Sequence, residues 1–270
     1  MKSANTLAQQ RSRRMMWITP SRVVYVGLLG VPTLRVMGSV NIYVSLTGTI
    51  RTRVQGGSWQ ESTLSVVPPY IPHQVSAEAR EIIVLQIESD SVDLSALPAF
   101  LSGSGASDNP AFVRHVRDSQ RLLVSLDAES SLRPEDFDQR FFGEALVPRR
   151  LDPRIATVLA LIEQDPSASL SAKSCAGIAN LSFSRFLHLF KHEIGISFRK
   201  FRTWKRARGL LHYANQTGNL AHIALDIGYA DSTHFSHSIR QVFGLRPRDI
   251  FAGSRRLTIL GQDCGDAATL

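Results

Sequence analysis

The chain is short of cysteine, of acid relative to base, and of long apolar runs, and each shortage narrows what it does. Two cysteines occur in 270 residues, Cys175 in an apolar helical pattern and Cys264 in a polar tail. Neither has a CxxC partner, so no disulfide framework or zinc finger is expected, and a reducing cytoplasm fits. The apolar run near the start, "VVYVGLLGV", is nine residues long, far short of the roughly 20 that a membrane span needs. It follows a basic "RSRRMMW", but Pro20 and Arg22 interrupt it and no small-residue cleavage site follows. A strand is expected there rather than a signal peptide, and no membrane partner.

Enough apolar material is present for a core: 43% of residues are hydrophobic, 20% charged and 8% aromatic. The length suggests one to two domains, and the composition is not that of a disordered chain. The net charge of +8 is uneven. Residues 1–150 hold 16 Lys and Arg against 14 Asp and Glu, whereas residues 151–270 hold 15 against 9. A basic half beside a near-neutral one points to a polyanion, nucleic acid before membrane surface.

The near-neutral half reads as strands. "NIYVSLTG" alternates, with Ile42, Val44 and Leu46 on one face and Tyr43, Ser45 and Thr47 on the other. "TIRTRV" puts Arg51 and Arg53 on one face, "QGGSW" is a hairpin-type turn, and "STLSVVPPYIPH" and "REIIVLQIE" read as further strands. Short strands at this spacing predict a small antiparallel barrel or sandwich. After the loop "GSGASDNP" the period changes to helical, with Phe112, Val116, Leu123 and Leu126 near one face, and "RPEDFDQRFFGEAL" as a second helix. These two helices pack either against a twin or on the barrel itself.

From 153 onward seven helices are expected, near 153–165, 171–179, 183–194, 198–214, 220–227, 232–243 and 247–252. Pro153 and Pro247 suit first-turn positions, Ser182 and Asp231 are good N-caps, and Gly195, Gly228 and Gly244 follow helix ends. Within this half lies a repeat. "SFSRFLHLFKHEIG" (182–195) and "DSTHFSHSIRQVFG" (231–244) match in role at an offset of 49. Ser182 and Asp231 cap, and Phe186 and Phe235 follow, then Phe190 and Ile239, Lys191 and Arg240, and finally Gly195 and Gly244. Upstream, Ala176 stands four residues before Asn180, and Ala224 four before Gly228. A small residue lets a second helix cross closely, and Gly or Asn tolerates the positive φ of the turn. Two such units in tandem form a strong helix-turn-helix signature. The joining helix is the most basic stretch: Arg185, Lys191, Arg199, Lys200, Arg202, Lys205, Arg206 and Arg208 against Glu193 alone. Phosphate contact is the better reading of it, with Trp204, Leu210 and Leu211 facing the core.

At "LSFSRFLHLFKHEIGISFRKF", "RARGLL" and "IALDIGYADSTHFSHSIRQVFGLRP" the sequence resembles the AraC/XylS family of bacterial transcription regulators, over roughly 153–252. "VSLTGTIRTRVQGG" and "LSVVPPYIPHQV" look like that family's cupin-type, effector-binding β-barrel. The resemblance implies two reading helices, each entering a major groove on one DNA face. Carried over by position, the base-reading residues are Ser184, Arg185, Leu187 and His188, then Ser232, Thr233, His234 and His237. The phosphate contacts are Lys191, Arg199, Lys200, Arg202, Arg206 and Arg240. His188 and Leu187 stand where the family often has Arg or Gln, so the first unit either reads fewer bases or meets a thymine methyl through Leu187. Candidate effector residues are Tyr43, Arg51, Arg53 and His73. Arg51 and Arg53 either line a pocket for an anion or face solvent, and His73 either touches a ligand or packs on proline.

Other readings are weaker. Zinc at His234 and His237 lacks further ligands, and a nucleophilic triad lacks its serine elbow. A metal-dependent cupin enzyme needs clustered histidines, and the first 110 residues hold His73 alone. The expectation is therefore a multi-domain, non-enzymatic, cytoplasmic regulator without a cofactor. It comprises a mobile tail (1–16), a cupin-like sensor barrel (17–100), a helical dimerisation or linker region (101–150), an all-α tandem helix-turn-helix domain of about seven helices (151–257) and a tail (258–270). Its partners are promoter DNA, RNA polymerase, a small effector and a second copy of itself. It is an activator by resemblance. The alternatives are a cupin-type enzyme or an effector-independent DNA-binding protein under a protein partner.

Overall fold

The computed structural model describes residues 14–123, 133–216, 219–254 and 257–260. Its first part holds strands β1 (Met15–Ile18), β2 (Arg22–Leu28), β3 (Ser39–Ser45), β4 (Ile50–Val54), β5 (Gln60–Ser62), β6 (Leu64–Val67), β7 (His73–Ala77), β8 (Glu81–Glu88) and β9 (Gly105–Ser107). Helices α1 (Pro110–Leu123) and α2 (Pro134–Phe142) follow, and β10 (Thr258–Leu260) returns from the far end of the chain. The strands form a seven-stranded sheet in the order β10-β1-β2-β8-β3-β6-β9 and a three-stranded sheet, β5-β4-β7. Among the described residues no ladder joins the two sheets, so the expected closed barrel is replaced by two separate sheets.

The alternation of β3 shows what covers the large sheet. Ile42 and Val44 enter one core with Val24, Leu85, Phe112, Val116, Phe137 and Phe141. Tyr43 enters another with Ile50, Val75 and Val84, shared with the small sheet. The large sheet is thus buried on both faces, and α1 and α2 pack on it rather than leaving their apolar faces for a twin. Leu126 lies outside the described residues. Arg22 fixes α2 to the sheet: its Nε and Nη2 donate to the two Asp138 carboxylate oxygens at 2.7 and 2.9 Å.

Both expected tails need correction at their inner ends. Met15 and Met16 belong to β1, and β10 pairs parallel with β1 in the register Met15↔Thr258 and Trp17↔Leu260. Ile259 and Leu260 are buried there, and burial of apolar side chains against a sheet edge is what orders them. Cys264 lies outside the described residues.

The helical part comprises α3 (Pro153–Gln164), α4 (Ala172–Ile178), α5 (Phe183–Ile194), α6 (Phe198–Gly209), α7 (Leu220–Asp226), α8 (Ser232–Phe243) and α9 (Pro247–Ser254), with a 3-10 turn at Leu210–Tyr213 continuing α6. No described helix is long and apolar enough to cross a membrane. The end of β8 meets α6 in a buried ionic cluster. Lys205 Nζ lies 2.7 Å from Glu88 Oε2 and 3.0 Å from Asp90 Oδ2, Arg208 Nε is 3.0 Å from Glu88 Oε1, and Trp204 Nε1 donates to Glu88 Oε2 at 2.9 Å. Burial alone pushes the Glu88 carboxyl up, but Lys205 and Arg208 outweigh it and hold the carboxyl below the ordinary Glu range.

Removing one member of such a cluster strands the others without a partner in a dry place. Glu88→Ala is expected to cost about 3–5 kcal/mol in chemical denaturation. Because its folded pKa is depressed, Glu88 contributes stability above the ordinary Glu pKa and loses it as pH falls through the folded value. The wild-type melting temperature is therefore expected to fall more steeply on acidification than that of Glu88→Gln. Parallel pH profiles for the two proteins would refute this.

Candidate nucleic-acid interface

Two copies of one local device organise the helical part. In the first, Ala176 is buried on α4, the Leu181 N–H donates to its carbonyl at 2.9 Å, and Asn180 takes φ +50. In the second, Ala224 is buried on α7, the Tyr229 N–H donates to its carbonyl at 2.8 Å, and Gly228 takes φ +81. The backbone bonds match residue for residue at an offset of 48, one less than the offset of the helices that follow, so the second turn is one residue longer. The next helices start on side-chain caps. The Ser182 hydroxyl accepts from the Arg185 N–H, and the Asp231 carboxylate accepts from the His234 N–H at 2.7 Å. Both end in left-handed glycines, Gly195 at φ +87 and Gly244 at φ +74.

Each capped helix buries one face. Phe186 and Phe190 join Phe198 and Phe201 in an aromatic cluster under α5. Phe235 and Ile239 pack with Trp204 and Tyr229 under α8. The opposite faces are exposed and polar, and they carry Lys191 and Arg240 at equivalent positions. A buried anchor face and an exposed N-terminal half rich in donors are the parts with which a recognition helix enters a major groove.

A helix-turn-helix domain family matches residues 175–253. The chain is 24% identical over 170 residues to the invasion protein InvF of Salmonella typhi, covering 58% of this chain and 76% of that one. It is 30% identical over 136 residues to the HTH-type transcriptional activator RhaS of Escherichia fergusonii, covering 49% and 44%. The fold is similar to that of ToxT from Vibrio cholerae, with a TM-score of 0.57 at 12% identity over 87% of this chain and 99% of that one. These likenesses support a regulator of the AraC/XylS type. They support a DNA-binding transcriptional regulator.

Ser184, Arg185 and His188 on α5 and Ser232, Thr233, His234 and His237 on α8 are all exposed. Leu187 is half-buried and packs against the first unit's core. His234 also sits edge-on to Tyr229, with ring centroids 5.3 Å apart. Among the described residues, no three His, Cys, Asp or Glu side chains gather to hold a metal ion. Lys191, Arg199, Lys200 and Arg240 are exposed and Arg206 is half-buried. Arg202 must be withdrawn from the phosphate set. It is 5% exposed, and its Nη2 donates to the Ala168 carbonyl at 2.6 Å. Lys205 and Arg208 also turn inward, to Glu88.

The candidate effector residues separate. Arg51 and Arg53 lie over the Trp59 ring at 5.9 and 5.2 Å, on the small sheet. Neither lines the cavity of about 420 Å³ between the large sheet and the helical part, whereas Tyr43 does. His73 lies behind it: the Tyr43 hydroxyl is 2.7 Å from His73 Nε2, and His73 Nδ1 is 2.8 Å from the Ile71 carbonyl. A carbonyl only accepts, so Nδ1 carries the proton and Nε2 accepts from Tyr43. Burial pushes the His73 ring down to about 4, so it is neutral near pH 7. Arg35, which also lines this cavity, was not anticipated. Its one sequence signal is a lone cation within "VPTLRVMG".

The turns test the two-unit geometry directly. A Cβ on Gly228 meets the Ser167 carbonyl oxygen at 2.4 Å and adds the cost of a positive φ. Gly228→Ala is expected to destabilise the protein by at least 1–2 kcal/mol, a rough figure for the φ term alone. Asn180→Gly, at the equivalent turn, should change stability by less than about 1 kcal/mol. Equal losses at both positions would mean the two turns are not equivalent.

Proposed function

We propose that this regulator uses both helix-turn-helix units at once, α5 and α8 reading successive major grooves on one face of a promoter, and that it activates transcription by presenting itself to RNA polymerase. The observation that carries this is the doubled device: two capped helices with matching anchors and exposed, basic outer faces. RhaS, of which this chain matches 44%, is a transcriptional activator, which supports the sign of regulation. Ser184, Arg185, Leu187, His188, Ser232, Thr233, His234 and His237 are the base readers. Lys191, Arg199, Lys200, Arg206 and Arg240 hold phosphate. The N-terminal part controls this activity through a small effector or through dimerisation, and the cavity against the helical part favours the effector.

Footprinting on the DNA beside this protein's own gene tests the reading. Two protected segments about 34 Å apart are expected, and a single one would overturn paired insertion. His237→Ala is expected to fold normally and relax preference at one or two base pairs, costing about 1–3 kcal/mol of discrimination. Arg199→Ala and Lys200→Ala should weaken binding evenly across sequences and lower the salt slope by about 1 each. Arg202→Ala should lower the melting temperature and leave the slope alone. Unchanged slopes for Arg199 and Lys200 would remove α6 from the phosphate interface.

A further inference from the structure

The sequence holds thirteen phenylalanines, and among the described residues one of them is exposed: Phe183, with 52% of its surface open. It is the first residue of α5, directly after the Ser182 cap. The apolar stripe of α5 runs Phe183, Phe186, Phe190 and Ile194, the three- and four-residue steps of one helical face. The last three are buried in the first unit's core. Phe186, Phe190, Phe198 and Phe201 meet ring to ring, and Phe183 takes part in none of these contacts. The stripe thus runs one turn past the core that buries it.

The place of Phe183 on the helix gives that extra turn a direction. Side chains on a helix tilt toward its N-terminus, so a ring on the first residue projects beyond the tip of α5. Arg185 is exposed two residues later, and with Lys191, Arg199 and Lys200 it gives this unit a cationic outer surface. An aromatic ring on a cationic surface fits a polyanion that also offers apolar atoms. In the major groove of DNA those atoms are the C5-methyl groups of thymine. The second unit lacks the ring. Its stripe begins at Phe235, and Ser232 occupies the position equivalent to Phe183. Leu187, the other apolar side chain among the candidate readers, is half-buried and packs against the first unit's core, so much of its surface is already spent within the protein.

We infer that Phe183 is a specificity-determining residue for DNA: its ring packs on the C5-methyl group of one thymine in the groove that α5 enters. The inference rests on the reading of α5 as a groove-entering helix, whose N-terminal residues meet base edges. Base pairs differ in the major groove by donors, by acceptors and by the thymine methyl. A phenyl ring has no hydrogen-bonding group, so the methyl is the mark it distinguishes. Ser232 offers a hydroxyl and no ring, so α8 does not make this contact from the equivalent position.

The test uses the full-length protein and a duplex that it selects from a random-sequence pool. Each thymine of that duplex is replaced in turn by uracil, which keeps every hydrogen-bonding group and removes only the methyl. Affinities are measured by fluorescence anisotropy. The wild type should lose about threefold to fivefold at one position, the worth of one buried methyl. Phe183→Ser should bind the thymine duplex weaker by about the same factor and show no difference between thymine and uracil at that position. It should melt no lower than the wild type, because the ring lies outside the core, and its salt slope should not change, because no charge is removed. Should Phe183→Ser fail to fold, Phe183→Leu, the milder change, must keep a smaller difference at that position and an unaltered response at every other. A wild type indifferent to uracil at every position would overturn the inference. A difference that Phe183→Ser retains at every sensitive position would also overturn it, giving the methyl contact to another residue. Selection of no duplex would overturn the DNA-binding reading and this inference with it, whereas a selected duplex without a uracil effect overturns this inference alone.

Discussion

The arrangement of the two parts depends on one buried carboxylate. Glu88 stands at the end of β8, a central strand of the large sheet, and receives Lys205, Arg208 and Trp204 from α6. Two cations and an indole around one acid, with Asp90 sharing Lys205, satisfy each other only if β8 and α6 hold one register. Such a cluster is a weak source of net stability, because desolvation consumes most of the attraction, but it discriminates strongly against misplacement. The loop after β8 extends the same logic. Arg149 donates to the Ser89 carbonyl at 2.8 Å and also reaches the Glu193 carbonyl near the end of α5, and Arg22 donates to Ser91 Oγ at 2.8 Å. Sheet, linker, α5 and α6 are therefore referred to one short acidic corner.

That corner explains why the basic helix is not simply a DNA-facing helix. Arg202, Lys205 and Arg208 recur every three residues on the buried side of α6, beside Phe198, Phe201 and Trp204. Three of its charges are spent within the protein, on the Ala168 carbonyl and on Glu88 and Asp90. The electrostatic footprint left for DNA is smaller than the local charge suggests, and it is shifted toward the exposed residues Arg185, Lys191, Arg199, Lys200 and Arg240. Since each phosphate contact adds its own release of counterions, inward-facing charges contribute specificity of docking rather than affinity for the polyanion.

What the sequence made legible was local. Ser182 and Asp231 as caps, Gly195 and Gly244 as left-handed stops, and Asn180 and Gly228 as turn residues follow from the conformational preferences of single residues, and each stands as such in the structure. The inward turn of Lys205 and Arg208 was not legible, because the partner is 117 and 120 residues away in sequence. A trace was present all the same: charged residues at three-residue spacing on the apolar side of a helix imply buried acids elsewhere. The alternation of β3 set its two faces but not what lies across them, so two separate sheets were read as one closed barrel. Arg51 and Arg53 were placed on one face correctly, yet that face meets Trp59 and not the cavity.

Three consecutive residues connect the cavity to α8. Arg35 lines the cavity and is fixed by paired backbone bonds with His73, 3.0 and 3.1 Å. The Val36 N–H donates to the Val242 carbonyl at 3.1 Å, one of the four carbonyls that the last turn of α8 leaves unsatisfied. Met37 enters the core beneath α8 beside Trp204 and Phe243, and its carbonyl accepts from the Tyr70 N–H at 2.7 Å. Gly244 brings the end of α8 against Thr33 and Leu34, where a Cβ has no room. A displacement of Arg35 therefore acts on a segment whose next residue caps α8, the helix carrying Ser232, Thr233, His234 and His237. Ligand binding changes DNA affinity only as far as it favours one position of this segment over another. The segment is bonded to the sheet through His73 and Tyr70 and to α8 through Val242, so its displacement either carries the helix end with it or breaks the bond to Val242.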